Sequence, residues 1–263
     1  MSLTNKTLAN TYKDILQMDN SNGGVDTTTR SIKDGEGTIS ALSLSDDSVV
    51  IQPQNDDTTS TFRVRAKTGE ILLLGDSSNK VAKSLGNILN TQYAHFGVGN
   101  AGSASFADDT HQAIPFGSQW AVSNSSYPPA FGTGTDPSTT FTTSDGNGTR
   151  ASDIVPVVWY VPDAISIDAV TSLEGADAAT GDTTRMHLFS YTFTSGSTNC
   201  LTSGTLLAHN SDVTNAGSEQ PYLSTWTVDS AAVTAGKVIL AFFKSDSVNS
   251  DYSLNIKVKY HLT

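Results

Sequence analysis

The clearest pattern in the chain is the alternation in its last segment, YSLNIKVKYHL, residues 252–262. Large apolar residues occupy every second position from Tyr252 to Leu262, and Ser, Asn, Lys, Lys and His fill the positions between them. Successive side chains of a β-strand point to opposite faces of a sheet, so this period of two indicates one buried and one solvated face. Antiparallel sheets commonly have such a solvated face. The segment therefore predicts a C-terminal antiparallel β domain.

A second type of strand signal is a continuous apolar run. KVILAFF at 237–243 has this form, and so does Ile154–Val161, where Pro156 predicts a bulge or an edge position. Other extended segments are predicted at 93–98, 114–122, 164–171, 185–193 and 223–228.

The spacing of these segments predicts the architecture of the C-terminal part. About eight strands are separated by long polar loops, chiefly 123–150 and 195–218. This arrangement is typical of a jelly roll or a similar sandwich. We therefore predict a mostly β protein with a jelly-roll-like β-sandwich over residues 91–263.

The overall composition agrees with many short strands joined by turns. Apolar residues make up 37% of the 263 positions and charged residues only 16%, and there are 21 Gly. The single cysteine, Cys200, rules out an internal disulfide and is predicted to be a buried small residue of a strand or loop. The start of the chain lacks a signal-peptide pattern and no window is apolar enough for a membrane span. We expect a protein made in a cytoplasm that leaves by a route such as cell lysis.

The net charge of −11 narrows the choice of partners. Nucleic-acid affinity comes mainly from Lys and Arg that neutralise phosphates, and attachment to an anionic bilayer needs a basic surface. We therefore expect neither a nucleic-acid partner nor membrane insertion.

The segment before the predicted sandwich has few apolar residues. Short strands are predicted at 48–52, 61–66 and 70–74, and residues 75–90 read as a connector whose helical stripe is weakened by Gly86. A few short strands bury too little surface to be stable alone. We predict a short β shaft and connector over 51–90 that is completed by intertwining with identical chains.

Residues 1–20 carry the best helical signal. Leu8, Tyr12, Ile15 and Leu16 fall at i, i+4, i+7 and i+8, so they form one apolar stripe. An isolated helix of this length is marginal in water and needs a partner surface. We predict that residues 1–50 form an attachment module and that these four side chains dock onto a larger assembly.

Motifs of catalysis and cofactor binding are absent from the sequence. None of the five His residues has metal-ligand spacing, and there is no nucleophile elbow, phosphate-binding loop or dinucleotide fingerprint. Carboxylates are plentiful, but none form a specific pair of the kind a glycosidase requires. The nearest oxygen cluster, Asp145 with Asn147, reads more readily as a turn than as a cation site. We expect no catalytic residue, metal or cofactor.

Aromatic residues mark the best candidate contact surface. Trp120, Tyr127 and Phe131 lie in or beside the long loop that also carries Pro128-Pro129. Exposed aromatic rings are common in contacts with sugars and proteins. The alternative, which the sequence favours, is that they pack in the core or between subunits.

Two stretches, together with the remainder of the chain, resemble structural proteins of tailed bacteriophages, particularly marine ones. The first, LANTYKDILQMDNSNGGVDTTTR (8–30) with IKDGEGT (32–38) and SALSLSDD (40–47), resembles their N-terminal module. The second, TFRVR (61–65) with NTQY (90–93), resembles their passage from shaft to head, and the remainder through 252–263 resembles their C-terminal β head.

The resemblance implies a trimeric virion component that binds other virion proteins through its N-terminus and presents an outward head to a host-surface glycan or protein. It transfers no catalytic residue. The shaft is short for a long tail fibre, so a capsid decoration or cement protein is the alternative. A polysaccharide depolymerase is a further alternative from a different class.

Overall fold

The computed structural model describes residues 15–18, 20, 23–98, 109–119, 131–142, 154–177, 180–216, 220–246 and 251–263. The structural statements below concern these residues. The chain divides into two compact units, the first ending at Leu89 and the second beginning at Asn90. Nearly all described elements are strands paired in antiparallel sheets, which confirms the predicted mostly β fold.

The first unit contains eight short strands. They are β1 (Gln17–Met18), β2 (Arg30–Lys33), β3 (Ile39–Leu44), β4 (Val49–Ile51), β5 (Phe62–Arg65), β6 (Ile71–Asp76), β7 (Val81–Ser84) and β8 (Asn87–Ile88). They form two four-stranded sheets in the orders β1-β2-β3-β4 and β5-β6-β7-β8. Each strand pairs with its sequence neighbour, as tight polar turns favour. At the β2–β3 turn, for example, the Asp34 carboxylate accepts from the backbone N–H groups of Glu36 and Thr38.

Two helical expectations for the first unit are wrong within the described residues. The predicted N-terminal helix does not reach Gln17 and Met18, because both pair with β2 through Lys33 and Ile32. The stripe considered for residues 75–90 is instead a hairpin of β7 and β8. In both cases local pairing between short strands satisfies the backbone, which an apolar spacing of three or four residues does not reveal.

The second unit contains thirteen strands. They are β9 (Thr91–Val98), β10 (Gln112–Ile114), β11 (Gly117–Gln119), β12 (Trp159–Tyr160), β13 (Ile165–Asp177), β14 (Thr183–Phe193), β15 (Leu201–His209), β16 (Val213–Thr214), β17 (Tyr222–Thr225), β18 (Thr227–Val228), β19 (Ala232–Val233), β20 (Lys237–Ser245) and β21 (Asp251–Leu262). A turn of 3-10 helix, Val155–Val157, precedes β12.

These strands build two sheets. The front sheet has the order β11-β9-β21-β13-β17, with β19 also paired to β13. The back sheet has the order β10-β20-β14-β15-β18, with β12 paired to β20 and β16 to β14. All pairings are antiparallel except that of β11 with β9. Apolar side chains from both sheets form one buried cluster, including Phe96, Val170 and Ile256 from the front sheet and Leu188 and Ala241 from the back sheet.

The two sheets differ in what covers their outer faces, and this explains the two strand signals. The front sheet is solvated outside, so β21 alternates between buried residues such as Ile256 and exposed ones such as Lys257. The back sheet has a second buried cluster on its outer side, where Leu240 and Phe242 pack. Strand β20 is therefore buried on both faces, which requires its continuous apolar run.

Three strand predictions for the second unit need correction. Ile154–Val161 is mainly the 3-10 turn and the two-residue edge strand β12, because Pro156 cannot donate to a ladder. The described part of the predicted strand 114–122 is divided between β10 and β11, which are separated by Pro115 and Phe116, and Gly117 begins β11 at φ +80°. The predicted loop 195–218 contains the nine-residue strand β15, whose Ser, Thr and Gly content hid its pairing with β14.

Candidate functional site

The described residues of the first unit form almost no core. Among its described residues, Ile32 is the single apolar residue that is buried. Ten large apolar side chains of the same unit are instead exposed to between 39% and 69%: Leu16, Val25, Ile39, Val49, Val50, Ile51, Val64, Leu72, Leu85 and Leu89. Scattered exposed apolar residues are normal, but eight strands without a buried cluster are not, because burial of apolar surface is what offsets the entropy of ordering the chain.

Strand β4 shows this exposure most clearly. It lies at the edge of its sheet, paired only to β3 among the described residues, and all three of its residues are exposed. Val49, Val50 and Ile51 are β-branched and point alternately to the two sheet faces, so neither face is covered there. Exposed apolar edge strands are templates for pairing with another chain. Strand β4 is therefore the best candidate assembly surface in the first unit.

The turn between β7 and β8 carries backbone strain at an exposed apolar residue. Leu85 has φ +47° and is 69% exposed, and Gly86 follows with φ +83°. A two-residue hairpin turn with positive φ at both positions strongly prefers Asn or Asp before Gly. A bulky residue with positive φ is an outlier, and such strain persists only where other interactions maintain it. Leu85 is consequently a second candidate contact residue.

In the second unit, the outer face of the back sheet is covered by residues 131–142, here termed the covering segment. Phe131 is fully buried, with its ring centroid 4.7 Å from that of Phe242 and 4.6 Å from that of Phe141. The hydroxyl of Tyr191 donates to the carbonyl oxygen of Ser138 at 2.8 Å. The segment therefore seals the second apolar cluster.

The polar end of this covered face contains two buried histidines. The rings of His111 and His187 lie 5.0 Å apart, and each residue is at most 2% exposed. His187 donates through Nε2 to Asp136 at 3.1 Å, and His111 Nδ1 lies 3.2 Å from the carbonyl oxygen of Gly132. Burial lowers the pKa of His111 to about 4 and that of His187 to about 3. Both rings are therefore neutral near pH 7.

A buried carboxyl group, that of Glu174, lies between the two sheets. Glu174 on β13 is 2% exposed, and both of its carboxyl oxygens accept from the Thr184 hydroxyl at 2.9 and 3.0 Å. Burial raises the pKa of Glu174 to about 7. No second carboxylate is among the groups that perturb it, so the arrangement does not resemble the acid pair of a glycosidase.

The sequence-predicted site residues fall into three groups. Leu8, Tyr12, Trp120 and Tyr127 lie outside the described residues, as do Asp145 and Asn147. Ile15 is half-buried and Leu16 is exposed, so Leu16 remains available for docking. Phe131 is wrong as a contact residue, because its ring belongs to the second core, which is the alternative that the sequence favoured. Cys200 is buried, as predicted.

Among the described residues, no group of three or more His, Cys, Asp or Glu side chains is arranged to hold a metal ion. The described part of the chain also contains no helix with the length and hydrophobicity of a transmembrane span.

Comparison with known proteins gave no assignment: no protein-family model and no curated protein matches this chain.

Proposed function

We propose that the chain is a non-enzymatic structural subunit of a bacteriophage virion, a homotrimeric fibre protein anchored through its N-terminal part. In this proposal the second unit is an outward head used in attachment to the host surface. The observation that carries it is the contrast between the two units. The second unit has two buried apolar clusters, whereas the first has one buried apolar residue among those described.

The lack of a buried apolar cluster among the described residues of the first unit supports obligate assembly. A unit that cannot bury its apolar surface must be covered by something present whenever the chain folds, and another copy of the same chain always meets that condition. Interdigitated strands from identical chains would cover both faces of β4 and the exposed side chains of β5 to β8. A trimer fits the resemblance of the sequence to phage fibre proteins.

The strand order of the second unit supports a jelly-roll head. The orders β9-β21-β13-β17 and β10-β20-β14-β15 place the first and last long strands side by side in one sheet. The chain crosses between the sheets as it proceeds, which is compatible with the two interleaved Greek keys of the proposed jelly roll. Such heads are self-contained, so the second unit can keep its fold while the first depends on assembly.

Static light scattering of the full-length chain tests the proposal. We expect the mass of three 27.7 kDa chains. Val49→Asp should shift the sample toward single chains, because a charge would enter the apolar contact at β4. Val155→Asp is the matched control, since Val155 is 74% exposed in the second unit. A monodisperse single chain for the parent protein would overturn the trimer.

A capsid decoration protein is the second candidate. The observation that favours it is the size of the first unit, whose described strands make only two four-stranded sheets rather than a long repeated shaft. Immunogold labelling of particles separates the two, because a tail fibre places label on the tail alone and a decoration protein places it over the capsid.

A further inference from the structure

A trough of about 530 Å³ lies on the solvated face of the front sheet. Its floor is the backbone of three neighbouring strands, at Gly97 of β9, Leu254 of β21 and Gly175 of β13. Gly117 of β11 contributes to one side. The trough exists because these glycines have no side chain to fill it.

Glycine occupies these three positions for different structural reasons. A Cβ atom at Gly97 would meet the carbonyl oxygen of Leu254 at 3.1 Å, and Gly117 has a positive φ of +80°. Gly175 has an ordinary φ, and a Cβ there would meet nothing within 4 Å among the described atoms. Glycine inside a strand weakens it and often marks a place where a ligand approaches the backbone closely. Among the described atoms, Gly175 therefore leaves open space over the strand that a ligand can approach closely.

The surface of the trough is mainly apolar, with a few polar side chains among its lining residues. His95, Ser253 and Asn255 are exposed and offer hydrogen-bonding groups, while Leu173 and Pro221 provide apolar surface. Glu174 is the one lining residue of acidic type, and its carboxyl group is directed between the sheets toward Thr184. No Lys or Arg lines the trough. The lining suits an uncharged ligand that has hydroxyl groups and apolar C–H faces.

The trough lies at the end of the second unit that is remote from its entry point. The chain enters at Asn90, whose side-chain amide donates to the carbonyl oxygen of Leu262 at 2.9 Å. Strands β9 and β21 run antiparallel from there, with Thr91 opposite His261 and Val98 opposite Leu254. The trough residues belong to the Val98 end.

We propose that the trough binds a single uncharged sugar residue of a surface glycan; this rests on the proposed attachment function. Sugar hydroxyls would contact His95, Ser253 and Asn255, and the C–H face of the ring would lie over Leu173 and the glycine backbone. An extended peptide does not fit, because β9, β21 and β13 are each paired on both edges and offer no ladder for strand addition.

Saturation-transfer NMR and calorimetry on the full-length protein test this site. The probes are the methyl glycosides of glucose, galactose, mannose, N-acetylglucosamine and N-acetylgalactosamine, with methyl glucuronide as the charged comparison. We expect weak binding of at least one neutral glycoside and none of the glucuronide. Gly175→Val should reduce the affinity about tenfold or more by filling the trough, with an unchanged melting temperature because its Cβ meets no neighbour.

Leu223→Asp is the matched control. Leu223 pairs with Leu173 on the same face and is 72% exposed, but it does not line the trough, so binding should stay within about twofold of the parent. Binding of no neutral glycoside, or equal binding by Gly175→Val, would overturn the site. If the protein is trimeric and present on particles but binds no sugar, the sugar-site inference is wrong and the proposed fibre function stands. If the protein is a single chain that binds sugar, the fibre proposal is wrong and the sugar site stands.

Discussion

The imidazole rings of His111 and His187 meet edge to face with their centroids 5.0 Å apart. His111 directly precedes β10 and His187 lies on β14; β20 pairs with both strands, and its Phe242 is opposite His187. Each ring uses one nitrogen in a hydrogen bond, and the other nitrogen, Nε2 of His111 and Nδ1 of His187, has no partner among the described atoms. The pair therefore closes the polar end of the covering segment in its neutral form.

Acid should weaken the second unit through these rings. Their pKa values are lowered to about 4 and about 3, first by burial, and Arg185 and Lys244 add positive charge nearby. A His with a depressed folded-state pKa binds its proton more readily when unfolded, so stability falls as the pH drops below about 6.5. We expect each ring to cost about 2 kcal/mol between pH 7 and pH 5. Denaturant unfolding across this range measures the loss.

Protonation of Glu174 raises the stability of the folded state as the pH falls from 7 to 5, which opposes the loss caused by the two histidines. The histidine effect is therefore best measured in the Glu174→Gln variant. In that background, His187→Gln should remove about half of the acid-dependent loss. His95→Gln is the control, because His95 is exposed on the front sheet. A stability that does not change between pH 7 and pH 5 in the Glu174→Gln background would contradict the prediction.

Glu174→Gln should itself stabilise the protein at alkaline pH. Burial raises the folded-state pKa of Glu174 to about 7, so its neutral form favours folding at low pH and that contribution is lost as the pH rises through 7. The parent protein should lose about 2.5 kcal/mol between pH 5 and pH 9 from this group, and the Gln variant, which can still accept from Thr184, should not. Parallel pH profiles for the two proteins would refute this assignment.

Phe131→Ala should destabilise the second unit by about 3–5 kcal/mol, because a fully buried aromatic ring leaves a cavity when it is removed. Val155→Ala is the comparison, since that side chain is exposed and should change stability by less than about 0.5 kcal/mol. Equilibrium unfolding by urea measures both. Equal stability of the two variants would show that the covering segment does not seal a core in solution.

The Leu85→Asn substitution distinguishes the effect of turn strain on stability from the effect of a contact between subunits. Asn fits the positive φ of this hairpin turn better than Leu, so in an isolated chain the substitution should stabilise the first unit. We expect the reverse, a trimer that dissociates at lower denaturant concentration, because the exposed Leu85 side chain is proposed to contact another copy. Sedimentation velocity at increasing urea reports the outcome, and a more stable trimer would remove Leu85 from the contact.

Parts of this structure could be predicted from local pattern. The alternation of β21 and the unbroken apolar run of β20 depend on which sheet faces are covered, and that information is carried by the residues themselves. Strand β15 could not be recognised, because its Ser, Thr and Gly residues resemble a loop until β14 supplies the pairing. Phe131 could be given two roles from sequence, and only the contact with Phe242 decides between them.

The sequence by itself determined the mostly β class, the strands with strong periodicity and the acidic, cysteine-poor character of the chain, because these follow from the order and type of neighbouring residues. The tertiary structure decided the rest. It brought His111 and His187 together from positions 76 residues apart, buried Glu174, and opened the glycine trough across strands distant in the chain. Such relationships depend on how strands are ordered within sheets and on which faces remain uncovered, and long-range pairing, rather than local propensity, sets both.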